Sequence, residues 1–61
     1  MHVTPQYAPI LIKRYDRSRL YDTVAARYLT LRDLREWARN GVSFVVVDEE
    51  TGDDITRVLL A

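Results

Sequence analysis

The sequence predicts a small α+β domain, with short antiparallel strands and hairpins around one central helix in the order β-β-(β)-α-β-β. A second helix has room to start at the C-terminal end. Three observations carry this. Residues 30–41 place apolar side chains at helical spacing between a threonine and a glycine. Two segments, 10–15 and 43–48, are rich in β-branched and aromatic residues. Polar breaks at 16–18, 23–26 and 49–53 divide the rest.

In chain order, residues 1–9 carry Pro5 and Pro9 and no period, which predicts a loose arm ahead of a domain at 10–61. ILIKRY (Ile10 to Tyr15) reads as a strand with Ile10, Ile12 and Arg14 on one face and Leu11, Lys13 and Tyr15 on the other. Asp16 to Ser18 forms a hairpin loop, and RLYD (Arg19 to Asp22) pairs back. Thr23 to Ala26 is a second connection, and Arg27 to Leu29 a third short extended piece. Thr30 caps the helix through its hydroxyl, and Asp33 at the third helical position makes a weaker form of the capping box. Leu31, Leu34, Trp37 and Ala38 form the core stripe, and Gly41 after Asn40 ends the helix. Arg32, Arg35 and Arg39 line the opposite face with Glu36. The pair Arg32–Glu36 argues for a solvated face, and a groove contact stays open. Ser43 to Asp48 (SFVVVD) reads as a strand buried on both faces. Gly52 supplies a positive φ in the turn 49–53. Asp54 to Thr56 then returns as a strand, or Thr56 caps a helix begun by Arg57 to Leu60. A chain that breaks off in VLLA reads as truncated or as a short variant.

Sixty-one residues without cysteine hold one domain, no disulfide and no thiolate metal site. Cores of this size supply only about 3–5 kcal/mol, so a homo-oligomer or a piece of something longer is expected. No apolar run approaches the roughly 18 residues of a membrane span, and no basic, then apolar leader opens the chain. The expectation is a cytoplasmic protein with no membrane partner. Enzymatic readings fail: there is no cysteine nucleophile, and the lone His2 is remote in sequence from Ser18 and Ser43. With Gly41 and Gly52 the only glycines, there is no phosphate-cradling loop. The acids Asp48 to Asp54 do not space as a calcium loop, because Leu59 stands where a bidentate Glu is needed. No cofactor and no metal is expected.

The zero net charge is unevenly spread. Residues 1–41 hold eight cations against four acids, a net of +4, and residues 42–61 hold one against five, a net of −4. Seven of those eight cations are arginine, whose planar fork suits phosphates and guanine edges. The first part therefore reads as a polyanion-facing surface, unless the two halves neutralise one another across the fold or a dimer. Between Ile12 and Tyr28, cations and tyrosines interleave: Lys13, Arg14, Tyr15, Arg17, Arg19, Tyr21, Arg27 and Tyr28. All of these except Tyr28 are taken as candidate DNA contacts. A hairpin built from them has the width of a major-groove ribbon. In the other reading, tyrosines such as Tyr21 and Tyr28 fill a small core rimmed by arginines.

Three blocks give this stretch a family likeness: IKRYDRSRLYDT (Ile12 to Thr23), RYLTLRDL (Arg27 to Leu34) and FVVVDEETGDDITR (Phe44 to Arg57). In order and spacing they resemble the N-terminal DNA-binding domain of the polyhydroxyalkanoate (PHB/PHA) synthesis repressor family. Its pattern runs roughly I-K-[KR]-Y-x-N-R-[KR]-L-Y-D-T, then Y-[IV]-T-L-x-D-L, then F-V-V-x-D-x-x-T-G-x-D-I-T-R. The resemblance implies a bacterial transcriptional repressor that binds double-stranded promoter DNA of granule-protein (phasin) genes and of its own gene. It also implies binding of the polyhydroxyalkanoate polymer or granule, which releases the DNA. Lys13, Arg14, Tyr15, Arg19, Leu20, Tyr21, Asp22 and Thr23 occupy the signature, with Lys13, Arg14 and Arg19 foremost for DNA and Asp22 to orient an arginine. Two departures stand out. Arg17 and Ser18 replace the usual Asn and Arg, so an Asn that could shape the turn or read adenine is missing. The family's downstream region, linked to oligomerisation and granule binding, is not expected within these 61 residues. The competing class is a protein-interaction or granule-associated module that does not bind DNA. Charge placement separates the two: one open face of Lys13, Arg14, Arg17 and Arg19 favours DNA, and neutralisation by Asp48 to Asp54 disfavours it.

Overall fold

The computed structural model describes residues 8–61. The expected N-terminal arm lies outside the described residues except for Ala8 and Pro9, both exposed. Six elements follow: β1 (Ile10–Tyr15), β2 (Arg19–Asp22), β3 (Arg27–Leu29), α1 (Leu31–Arg39), β4 (Phe44–Asp48) and α2 (Thr56–Leu60). The strands form one sheet in the order β3-β2-β1-β4.

Local chemistry sets the first half. At the β1–β2 turn the Ser18 amide donates to the Tyr15 carbonyl at 3.1 Å. Asp16 (φ 51°) and Arg17 (φ 65°) are both left-handed, the backbone that matches hairpin twist. Between β2 and β3 the buried Asp22 carboxylate accepts the amides of Val24 at 2.8 Å and Ala25 at 3.0 Å, and Ala26 is left-handed at φ 57°. Asp22 therefore holds this turn and orients no arginine. α1 carries a complete capping box: the Asp33 amide donates to Thr30 Oγ1 at 3.1 Å, and the Thr30 amide donates to the Asp33 carboxylate at 2.9 Å. Gly41 (φ 76°) closes the other end, with its own amide on the Ala38 carbonyl and the Val42 amide on that of Trp37.

The helix returns the chain to the starting end of β1, so β4 pairs with β1 in parallel from Ile10↔Phe44 to Arg14↔Asp48. The antiparallel pairs are β1–β2 and β2–β3. Ile12, Leu20, Leu29 and Val46 share one sheet face and form the buried core with Leu34 of α1. Leu31, Trp37, Leu59 and Leu60 pack around it, so both helices cover the same face. Trp37 meets Phe44 edge-on, with ring centroids 5.7 Å apart.

Several expectations change. β4 is an edge strand: Val46 is buried, but Val45 and Val47 are half-buried because no helix covers their face. The expected return strand shrinks to a single bridge, Val47↔Asp54, and the chain enters α2 at Thr56. The Thr56 hydroxyl donates to Asp54 at 2.7 Å and accepts the Val46 amide at 2.8 Å. With Ile55 donating to Val46 and Asp48 donating to Asp53, this loop closes the outer edge of β4 against further pairing. Ala38 is exposed rather than in the core stripe. Glu36 pairs at 3.8 Å with Arg39, one turn onward, rather than with Arg32.

Candidate nucleic-acid interface

Side chains directly opposite in a sheet share a face, so register sorts the predicted contacts. Lys13 faces Tyr21, Tyr21 faces Tyr28, and Tyr15 faces Arg19. These five, with Leu11, Val45 and Val47, make up the helix-free face. Arg14 and Arg27 lie on the other face, in register with Leu20 and Asp22. Arg17 sits at the hairpin tip, exposed, and joins no ion pair among the described residues. The seven candidates thus separate: Lys13, Tyr15, Arg19 and Tyr21 come together, Arg17 caps them, and Arg14 and Arg27 point away.

Arg14 is committed within the fold. Its Nε and Nη2 donate to Asp48 Oδ2 at 3.1 and 2.6 Å, and the two side chains are 22% and 7% exposed. The other Asp48 oxygen accepts the amides of Glu50 and Thr51 at 2.8 and 3.2 Å. The Arg14 guanidinium first, then these amides, hold the Asp48 carboxyl below its ordinary value of 3.8, against the opposing effect of burial. Asp48, at the end of the strand segment, is a buried partner 34 residues from Arg14, which no local sequence signal announces. Arg27 lies near the start of α1, where its charge helps to depress Asp33 behind the larger effect of the Thr30 hydrogen bonds.

The remaining ion pairs are exposed. Lys13 lies 3.4 Å from Glu49, and Arg19 lies 2.6 Å from Asp16. The acidic segment therefore meets Lys13 and Arg14, whereas Arg17 and Arg19 stay clear of it. Tyr21 and Tyr28 meet edge-on at 5.1 Å, outside the buried core. Tyr28 was left out of the predicted contacts although it shares their alternation. It is 58% exposed and closes a recess of about 230 Å³ with Tyr15, Arg19 and Tyr21. Arg32, Arg35 and Arg39 are exposed on the outer side of α1, away from this face.

Among the described residues, no helix is long and apolar enough to cross a membrane, and no three acidic or imidazole groups gather as a metal site. No solved structure matches the chain. An uncharacterized protein of Allochromatium vinosum is 46% identical over 50 residues, covering 82% of this chain and 33% of that protein. A protein of Thiocystis violacea, named "Uncharacterized protein in phbA 5'region", is 48% identical over 50 residues, covering 82% of this chain and 36% of its own length. The chain thus spans about a third of the length of the curated relatives it matches. Residues 11–61, from the first strand through the last helix, match the family described as the PHB/PHA accumulation regulator DNA-binding domain, and the chain belongs to that family.

Proposed function

We propose that this chain is the duplex-reading part of a cytoplasmic repressor of polyhydroxyalkanoate synthesis and phasin genes, and that the β1–β2 hairpin tip makes the contacts. One observation carries this reading. β4 reaches only to the level of Arg14 and β3 only to Leu20, so beyond them the sheet narrows to two strands bearing Tyr15, Arg17 and Arg19. A two-stranded ribbon fits a major groove about 12 Å wide, which four strands spaced about 4.8 Å apart do not enter flat. Lys13 and Tyr21 follow behind the tip on the same face. Lys13 and Arg19 exchange exposed carboxylates for phosphates at small cost, since such pairs are worth about 0–1 kcal/mol. Arg14 acts as a brace for the hairpin, and Arg27 is left to a flanking phosphate. The Thiocystis relative, whose name places it in the 5′ region of phbA, fits a regulator of such genes.

A homodimer would set two tips into half-sites about 34 Å apart. Binding of polymer or granules, releasing the duplex, belongs to the same reading for the whole protein. The test is fluorescence anisotropy with a phasin-promoter duplex and a scrambled duplex across a salt series. Log affinity should fall against log salt by about 0.9 for each phosphate contacted, with a promoter preference of about 10³-fold or more. Arg17→Ala and Arg19→Ala should each make that slope shallower by about one contact. A folded chain that binds neither duplex at low salt would transfer the case to the interaction-module reading.

A further inference from the structure

The helix-free face does more than back the hairpin tip. An antiparallel sheet with helices on one side normally turns polar residues outward. Here the outward positions hold Leu11, Val45, Val47 and the rings of Tyr15, Tyr21 and Tyr28, spread over all four strands. Lys13 and Arg19 stand among them, each held only by an exposed carboxylate. The tyrosines do not pack into the core, and one recess of about 230 Å³ lies between Tyr15, Arg19, Tyr21 and Tyr28.

Aromatic rings on the open face of a four-stranded sheet, with cations at their margins, suit unpaired bases, and the edge-on pair of Tyr21 and Tyr28 leaves a ring face free to stack. Every base has a π-face, so rings stack with it whatever its identity, while the cations follow the backbone. A second copy of the chain is a poor occupant. Sheet-on-sheet packing would bury Lys13, Arg19 and three phenol hydroxyls in a dry interface, each at a desolvation cost. We propose that the helix-free face of the sheet binds single-stranded DNA, with Tyr15, Tyr21 and Tyr28 as stacking rings and Lys13 and Arg19 on the phosphates. This site goes beyond the duplex reading. It shares Lys13, Tyr15, Arg19 and Tyr21 with that reading, but Tyr28, on β3, belongs to the face alone.

The experiment is anisotropy of the intact chain with labelled oligo-dT of about twelve nucleotides, enough to cross one small domain. The chain should bind it, and Tyr28→Ala should weaken binding about five- to a hundred-fold, the effect of one lost stack. Tyr28→Phe should restore binding, and Tyr28→Ala should leave promoter-duplex affinity in place. Circular dichroism and Trp37 emission check folding, and Tyr21→Ala serves as a second variant. The proposal is overturned if oligo-dT is not bound by the folded chain, or if both tyrosine variants bind it as tightly as the parent. It is equally overturned if an RNA strand of the same sequence is preferred, or if Tyr28→Ala lowers the sedimenting mass and so marks the face as a contact between copies. Loss of duplex binding alone, with Tyr28-dependent oligo-dT binding retained, would sink the hairpin-tip reading and leave this one standing.

Discussion

Arg14 and Arg17 stand three residues apart in one hairpin and differ in almost everything physical. Arg14 lies against a buried carboxylate whose oxygens accept two guanidinium and two amide hydrogen bonds. Removing that carboxylate leaves a half-buried cation and an uncapped turn together. Asp48→Ala should therefore cost about 2–4 kcal/mol. Against a total of about 3–5 kcal/mol for a domain this small, urea titration should show the variant losing most of its stability, with its midpoint moved close to zero denaturant. Arg17, by contrast, occupies a left-handed backbone that disfavours most side chains by about 1 kcal/mol and favours Asn. The family pattern's Asn at this position thus has a backbone reason, whatever it does to a base. Arg17→Asn should raise the urea midpoint by the equivalent of about 0.5–1 kcal/mol, while making the duplex salt dependence shallower. Arg17's place in the hairpin loop was legible from its neighbours in sequence, and Arg14's partner was not. The Arg17 backbone follows from the turn, and the Arg14 partner arrives from the far end of the chain.

Among the elements, α1 was the most legible, because both of its ends are written locally in Thr30, Asp33 and Gly41. At nine residues it is shorter than the roughly 12–15 that hold together alone, so its caps matter. Thr30→Ala should cost about 1 kcal/mol and Thr30→Ser much less, read from urea midpoints followed by far-UV circular dichroism. The β1–β2–β3 meander was legible for the same reason: polar breaks of three and four residues leave antiparallel pairing as the short route. The segment after β4 was not. Asp54 to Thr56 could extend as strand or turn into helix, and what decides it is the free edge of β4, whose Val46 amide donates to the Thr56 hydroxyl. The arginine-orienting role that the family resemblance implied for Asp22 does not hold. The Asp22 oxygen goes instead to amides two and three residues ahead.

Across the whole molecule, the face assignment followed from alternation once the register was known. The parallel β1–β4 pair, joining residues some 34 apart, had no signature of its own. Three carboxylates, Asp33, Asp48 and Asp54, are held below their ordinary value near 3.8, chiefly by hydrogen bonds from Thr30, Arg14 and Thr56 respectively. Folding therefore favours their ionised forms. That contribution is complete above the unfolded value and is lost as pH falls from about 4 through the lowered folded values. Urea midpoints should be level at neutral pH and drop below pH of about 4, with Thr30→Ala and Asp54→Asn each flattening the drop. The parallel pair also bears on the order of assembly. β1 meets β2 across a three-residue turn, whereas Asp48 must find Arg14 across 34 residues, a closure costing about 2 kcal/mol more in chain entropy. The meander and α1 then form first, and β4 docks last. In stopped-flow traces Asp48→Asn should speed unfolding with little change in refolding, and Arg17→Asn should speed refolding. The strand that braces the hairpin is thus the last to close and the first to open, which makes the β4 edge the hinge of the protein's lifetime.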